Sequence, residues 1–157
     1  MNRLNVGVLD TSAVFSILFG EPSGPAFLQG FKHCNQLIIG TTTLRELSMV
    51  VRIKKGMPGL AILDKFLAGL GVVSSPTDLP QLAFFRQELY QYGKGLNSAS
   101  LNFGDLFSYA LARHLDAHLF FQGLDFVQTD VKNAMQYFGY SYAPNGELLP
   151  QGQLNQN

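Results

Sequence analysis

The chain is short of charge, of cysteine and of long apolar runs. Of its 157 residues only 14% are Asp, Glu, Lys or Arg, against about 25% in typical soluble domains. Much of the surface is therefore uncharged, which leaves room for a partner or for self-association. The 11 basic residues balance the 11 acidic ones. That balance argues against a protein that coats nucleic acid non-specifically, but not against one that grips a few phosphates locally. The one cysteine, Cys34, cannot close an internal disulfide, which suits a reducing compartment. It reads as a small buried hydrophobe.

Other absences narrow the chemistry. No Cys/His set suits a tetrahedral zinc site. His114 and His118 are four apart, but no Glu follows His114 and the helix is expected to end between them, so this is not the zinc-protease motif. Gly93-Lys94-Gly95 lacks the spacing of a phosphate-binding P-loop. The apolar stretch 6–19 is broken by Asp10, Thr11, Ser12 and Ser16, and no run approaches the roughly 20 apolar residues of a membrane helix. No secretory pattern opens the chain. The sequence thus predicts one soluble, cytoplasmic domain with no membrane partner.

What is present is an alternation of short apolar runs and helical patterns. Strands are predicted at 4–9, 37–39, 72–73 and 118–121, and a last one at 137–142. Helices are predicted from 12 to 18, after the turn Glu21-Pro22-Ser23-Gly24-Pro25, after the lead-in Thr41-Thr42-Thr43 to about 55, from 57 to 70, from 78 to 92, and after Asn102. In the last of these Phe103, Leu106, Phe107, Ala110 and Leu111 make a core-facing stripe. This order implies an α/β fold with a mostly parallel sheet. Residues 1–142 are expected to form the domain. Residues 143–157, rich in Pro, Gly, Gln and Asn, are expected to be a disordered tail.

Sites in parallel sheets form at the carboxyl ends of the strands. Asp10 directly follows the first strand and Asp125 follows the fourth. Glu46 is placed in the first turn of the helix after strand two, and Asp105 in the first turn of the helix before strand four. Four carboxylates on one rim repel one another, and a divalent cation relieves that repulsion. Hard oxygen ligands favour Mg²⁺ or Mn²⁺. Such a site suits metal-assisted phosphodiester hydrolysis, by in-line attack of an activated water that leaves a 5′-phosphate and a 3′-hydroxyl. Each acid also has a structural reading. Thr43-Leu44-Arg45-Glu46 and Asn102-Phe103-Gly104-Asp105 both have the pattern of a helix cap. Asp10 abuts a buried strand, a costly place for an unpaired carboxylate. Asp125 sits where loops commonly carry Asp.

These residues carry a family likeness. Val8-Leu9-Asp10-Thr11-Ser12-Ala13, followed by Gly20-Glu21-Pro22, resembles the opening of PIN domains of the VapC toxin type. Leu101-Asn102-Phe103-Gly104-Asp105 with Ser108-Tyr109-Ala110-Leu111-Ala112 resembles their third acidic motif. Phe120-Phe121-Gln122-Gly123-Leu124-Asp125-Phe126-Val127-Gln128-Thr129-Asp130 resembles the fourth, and Glu46 holds the second acid by position. The likeness spans residues 4–132. It implies a PIN-like three-layer α/β/α sandwich with a short-stranded central sheet, and a ribonuclease whose Mg²⁺ or Mn²⁺ is held by Asp10, Glu46, Asp105 and Asp125. It further implies that Ser12 holds Asp10 or a substrate phosphate and that Thr129 is a candidate substrate contact, with Asp130 ranked below the four acids. The expected partners are RNA, a cognate antitoxin protein and a second copy of the chain. One departure stands out. Relatives often carry basic residues before the third motif, whereas Gly95-Leu96-Asn97-Ser98-Ala99-Ser100 has only Lys94 nearby.

Arg45, Arg52, Lys54 and Lys55 form the densest basic group. They either guide a phosphate backbone towards the acids or complement a helix C-terminus. Phe84, Phe85, Tyr90 and Tyr92 are read as core or dimer surface. Two other readings fit parts of the sequence. A PIN-like module that binds RNA or protein without cutting would fit the missing basic loop. A phosphatase using Asp10 as nucleophile commonly needs a second Asp two residues on, where this chain has Ser12.

Overall fold

The computed structural model describes residues 2–92 and 101–153. The stretch 93–100, with Lys94, lies outside the described residues. In chain order the elements are β1 (Leu4–Leu9), α1 (Thr11–Leu18), α2 (Gly24–Lys32), β2 (Cys34–Gly40), α3 (Thr41–Gly69), β3 (Val73–Ser75), α4 (Leu79–Tyr92), α5 (Phe103–His114), β4 (His118–Phe120), β5 (Lys132–Asn133), α6 (Ala134–Tyr137), β6 (Tyr140–Tyr142) and β7 (Leu148–Pro150).

Five strands form one sheet in the order β3-β2-β1-β4-β5, with every neighbouring pair parallel. From β1 the chain builds outward through β2 to β3, then returns to build β4 and β5 on the other side. The crevice between the carboxyl ends of β1 and β4 is therefore a topological switch point, the usual seat of a site in such sheets.

The period-two alternation of the strands divides the core into two faces. Leu9, Leu37, Ile39 and Phe120 pack with Phe27, Phe31, Leu47 and Leu63 beneath α1, α2, α3 and α6. Val8, Leu119 and Phe121 pack with Leu106, Tyr109, Leu111 and Phe126 beneath α5. Each such side chain contributes about 1.5–3 kcal/mol on burial. The result is the three-layer α/β/α sandwich expected from the sequence. The two central strands approach closely at Gly7, where a Cβ would stand 2.6 Å from the Phe120 ring. Cys34 is buried among these residues as expected, and burial pushes its thiol up to about 12.

Local chemistry sets the boundaries. Asp10 caps α1 and Asn133 caps α6 with their side-chain oxygens. α3 is two helical segments joined at Gly56, whose φ of 69° breaks the helix between the two predicted helices. Lys54 and Lys55 end the first segment, with their ammonium groups over the Phe15 and Phe19 rings.

Two expectations are corrected. The strand read at 137–142 is shorter. Asn133 starts a turn of helix that runs to Tyr137, and Gly139 at φ 86° ends it. Only Tyr140–Tyr142 is extended, and it pairs antiparallel with β7 outside the main sheet. The tail read as disordered from 143 instead forms that hairpin. Its Pro, Asn and Gly make a turn: Gly146 takes φ 84° and the Glu147 N–H donates to Asn145 Oδ1. Residues 154–157 lie outside the described residues. β5 has only two residues, too few to show a period in the sequence. None of the described helices is long and apolar enough to cross a membrane.

Candidate active site

Asp10 ends β1 and is 5% exposed. Its backbone N–H still pairs with the Phe120 carbonyl at 3.0 Å, so the carboxylate leaves the sheet in a fixed direction. Three donors converge on it. The Ser12 N–H reaches Oδ2 at 3.0 Å and the Ser12 hydroxyl at 2.6 Å. The Ser108 hydroxyl reaches Oδ1 at 2.6 Å. The cost of burying this carboxylate is offset by charge-assisted hydrogen bonds. Ser12 in turn accepts from the Gln122 N–H at 2.9 Å, so its hydroxyl ties Asp10 to the exit of β4. Of the two roles foreseen for Ser12, holding Asp10 is the one its bonds perform.

Asp105 is fixed by the capping box expected at the start of α5. Its N–H donates to Asn102 Oδ1 at 2.9 Å, and its Oδ2 accepts from the Asn102 N–H at 3.1 Å. Its pKa is pushed up to about 7, first by burial and then by the negative charges of Asp10, Asp125 and Glu46, against the opposing Asn102 bond. The other three acids named from the sequence thus all lie close enough to act on Asp105.

Glu46 is placed differently from the expectation. α3 begins at Thr41 with Gly40 as its cap, so Glu46 lies beyond the first turn and Thr43 is not a cap residue. Instead Thr43, buried, puts its hydroxyl 3.3 Å from that of Ser108. The Glu46 carboxylate lies against the first turn of α5: a Cβ at Gly104 would stand 2.1 Å from Glu46 Oε2. Gly104 is the residue that admits this approach. Asp125 is exposed, on the loop that leaves β4.

Among the described residues the ion pairs are Arg113 with Asp130 and Lys132 with Asp116. None of the four acids has a basic partner there. Nor do any three described His, Cys, Asp or Glu side chains already stand in ligand geometry. The donor set itself, all hard oxygen without a counter-charge, fits Mg²⁺ or Mn²⁺.

The remaining candidates divide. Arg45 is exposed one residue before Glu46. The Thr129 hydroxyl donates to the Phe126 carbonyl at 2.7 Å and accepts from the Val131 N–H at 3.3 Å, so it closes its own loop rather than joining the acids. Asp130 pairs with Arg113 at 3.3 Å and accepts from Tyr109, which gives it a structural role. His114 and His118 face the rings of Phe84 and Tyr137. Ser108 and Thr43 had not been singled out for the site. The available signal is Ser108 one helical turn beyond Asp105, a small polar residue flanked by the aromatic Phe107 and Tyr109.

No protein-family model matches the chain. It is similar to a VapC ribonuclease of Mycobacterium bovis, 35% identical over 126 residues that span 79% of this chain and 95% of the relative. It is 36% identical over 124 residues to Ribonuclease VapC of Mycolicibacterium smegmatis, spanning 79% and 96%. Among solved structures it is similar to VapC20 of Mycobacterium tuberculosis, described as a Sarcin-Ricin loop cleaving toxin, with TM-score 0.65 and 12% identity over 80% of this chain and 95% of that one. VapBC2 of Rickettsia felis, bound to a DNA fragment from its promoter, matches with TM-score 0.63 and 22% identity over 82% and 96%. At those identities the structures speak for the fold alone, and the fold is the PIN-like sandwich. Identity above one third across nearly the full length of curated relatives decides the family: the chain belongs to the VapC ribonucleases.

Proposed function

We propose that the protein is a metal-dependent endoribonuclease that hydrolyses RNA phosphodiester bonds at the rim formed by Asp10, Glu46, Asp105 and Asp125. The observation that carries this reading is the field on Asp105. Burial first, and then the charges of the three other carboxylates, push its carboxyl up, and none of the four has a cationic partner among the described residues. Such an arrangement is costly unless a cation joins it. Asp10, Asp105, Glu46 and Asp125 are the residues that would hold Mg²⁺ or Mn²⁺. When bound, the ion supplies charge neutralisation and Lewis acidity towards a phosphate oxygen.

The chain's own residues do the positioning. Ser12 and Ser108 direct their hydroxyl protons at opposite oxygens of Asp10 and so fix the plane of its carboxylate. The Asn102 cap fixes Asp105. Arg45, exposed beside Glu46, is available to a phosphate approaching from solvent. Thr129 is not counted among the substrate contacts, because its hydroxyl is committed within its loop.

A cognate antitoxin and a second copy of the chain are the proposed protein partners, acting in the cytoplasm. Partner surface is available: Met49 and Ile53, one helical turn apart on α3, are 59% and 76% exposed. The structural relatives from Rickettsia felis and Salmonella typhimurium are VapBC complexes bound to DNA, which supports the antitoxin part of the reading.

A second reading, a PIN-like module that binds RNA or protein without cutting, draws on the lack of ready ligand geometry among the described residues. One experiment separates the two. Total RNA is incubated with purified protein, with Mg²⁺ or Mn²⁺, with chelator, and beside Asp10→Asn. Discrete fragments with 5′-phosphate ends that vanish with chelator and with the variant support the nuclease. No cleavage under either metal by folded, antitoxin-free protein supports the binding module.

A further inference from the structure

The exit of β4, which carries Asp125 into the site, is pinned at three successive residues. The Phe120 carbonyl accepts from the Asp10 N–H at 3.0 Å. The Phe121 carbonyl accepts from the Tyr142 hydroxyl. The Gln122 N–H donates to the Ser12 hydroxyl, and the Gln122 side-chain amide donates to the Gly146 carbonyl at 2.9 Å. Two of these pins come from the β6–β7 hairpin: Tyr142 belongs to the last strand expected from the sequence and Gly146 to the segment expected to be a disordered tail. Beyond Gln122 the chain passes through Gly123, at φ 99°, before it reaches Asp125. Asp125 is thus held from both ends: Gln122 before it is pinned, and Phe126 after it is buried against the Phe121 ring on which Tyr142 stacks.

The hairpin is well seated for this work. The Tyr142 ring stacks on Phe121, with centroids 5.2 Å apart and planes 21° from parallel. The Ala143 N–H pairs with Glu147 and the Gln151 N–H with Gly139, which fastens both arms. A Cβ at Gly146 would lie 3.8 Å from Gly123 and from Leu124, so the hairpin turn rests against the loop. Leu148 packs on the opposite core face from Tyr142. The hairpin therefore braces the loop from behind. Burial and the nearby charge of Asp10 both hold the Tyr142 hydroxyl above the usual tyrosine range, so it remains a donor.

We infer that Tyr142 is a positioning residue for the acidic site, acting on Asp125 through the Phe121 carbonyl, and that the C-terminal hairpin is part of the frame of that site. The effect on catalysis rests on the nuclease reading above; the effect on the loop does not.

The test uses the full chain with Tyr142→Phe, which keeps the ring stack and removes the hydroxyl, and with Tyr142→Ala as a second variant. Amide hydrogen exchange is read at Gln122 and Asp125, with β1 amides as the internal reference. Mn²⁺ affinity, kcat and KM for RNA are read alongside. The expected result for Tyr142→Phe is faster exchange at Gln122 and Asp125 with β1 unchanged, and a kcat about tenfold lower at unchanged KM. That is close to the loss of one hydrogen bond of about 1.4 kcal/mol. Unchanged exchange at Gln122 and Asp125 in both variants would overturn the inference whatever the activity. Faster exchange with wild-type kcat and Mn²⁺ affinity would also overturn it, leaving the hairpin a stabilising role only. Faster exchange in a chain whose wild type neither takes up Mn²⁺ nor cuts RNA would uphold the brace and bring down the nuclease reading instead.

Discussion

The Ser108 hydroxyl, 2.6 Å from Asp10 Oδ1, joins the helix that carries one acid of the site to the strand that ends in another. Ser108 lies one turn after Asp105 on α5, so a single helix both supplies a carboxylate and orients its neighbour. Ser108→Ala leaves a buried carboxylate oxygen without its donor, at a cost of about 1–3 kcal/mol. We expect the variant to fold with a Tm lower by about 2–10 °C and to bind Mn²⁺ more weakly. Thermal melts and metal titration check this. Unchanged metal affinity would mean that Asp10 needs no help from α5.

Gly104 and Glu46 form a second such pair. A methyl at Gly104 would stand 2.1 Å from Glu46 Oε2, so Gly104→Ala must displace the end of the Glu46 side chain. That end is flexible, and the stability cost is accordingly small, about 1 kcal/mol or less. Activity is expected to fall because Glu46 has moved. A double-mutant cycle is diagnostic: Gly104→Ala should add little to the loss already caused by Glu46→Gln. Full additivity would contradict the contact.

Asp105 makes the metal-free protein sensitive to pH. Its folded pKa, about 7, lies above its ordinary carboxylate value, for burial first and the three neighbouring acids next. The folded state therefore holds this proton more tightly than the unfolded one. The stability so gained is complete below about pH 4 and is lost as pH rises through about 7. Asp105→Asn, which keeps an acceptor for the Asn102 cap, is expected to melt higher than wild type at pH 8 without metal. The gain should be about 1–2 kcal/mol after allowance for solvent screening, and it should disappear at pH 4. Chelator-treated protein melted across that range checks the sign. A variant less stable than wild type at pH 8 would contradict it.

Glu88 offers the same logic away from the rim. It is fully buried in α4, and desolvation pushes its carboxyl up to about 7 against the neighbouring Tyr109 hydroxyl. Proton binding again favours the folded state, so the contribution is complete below about pH 4 and lost through about pH 7. Glu88→Gln is expected to match wild type near pH 4 and to exceed it by about 1–3 kcal/mol at pH 8. Denaturant unfolding at the two pH values reads the difference. Equal stability at pH 8 would show that the buried carboxylate is already compensated.

The fold and the settings of Asp10 and Asp105 were legible because their signals are local and repeated. β1 is a short apolar run that ends in Asp10, and Asn102 with Asp105 forms the capping pattern the sequence displays. The break in α3 was marked by Gly56 and Pro58. What was not legible depends on contacts far apart in sequence. The bond from Ser108 to Asp10 spans 98 positions and that from Gln122 to Ser12 spans 110. Thr43 looked like a cap because the start of α3 at Thr41 depends on where β2 ends. The hairpin at the C-terminus was misread because composition alone does not separate a Pro-Asn-Gly turn from a disordered tail. Its order comes from Tyr142 and Leu148 packing on two different core faces.

The central claim is that the four acids form a divalent-metal site. Mn²⁺ titration followed by electron paramagnetic resonance tests it most directly, on chelator-stripped, antitoxin-free protein and on Asp10→Asn and Asp105→Asn. The account predicts Mn²⁺ uptake by the wild type, saturating with the proton release expected when a carboxylate of raised pKa binds a cation, and affinity weakened at least tenfold in each variant. No uptake by folded wild-type protein, or equal uptake by both variants, would contradict it.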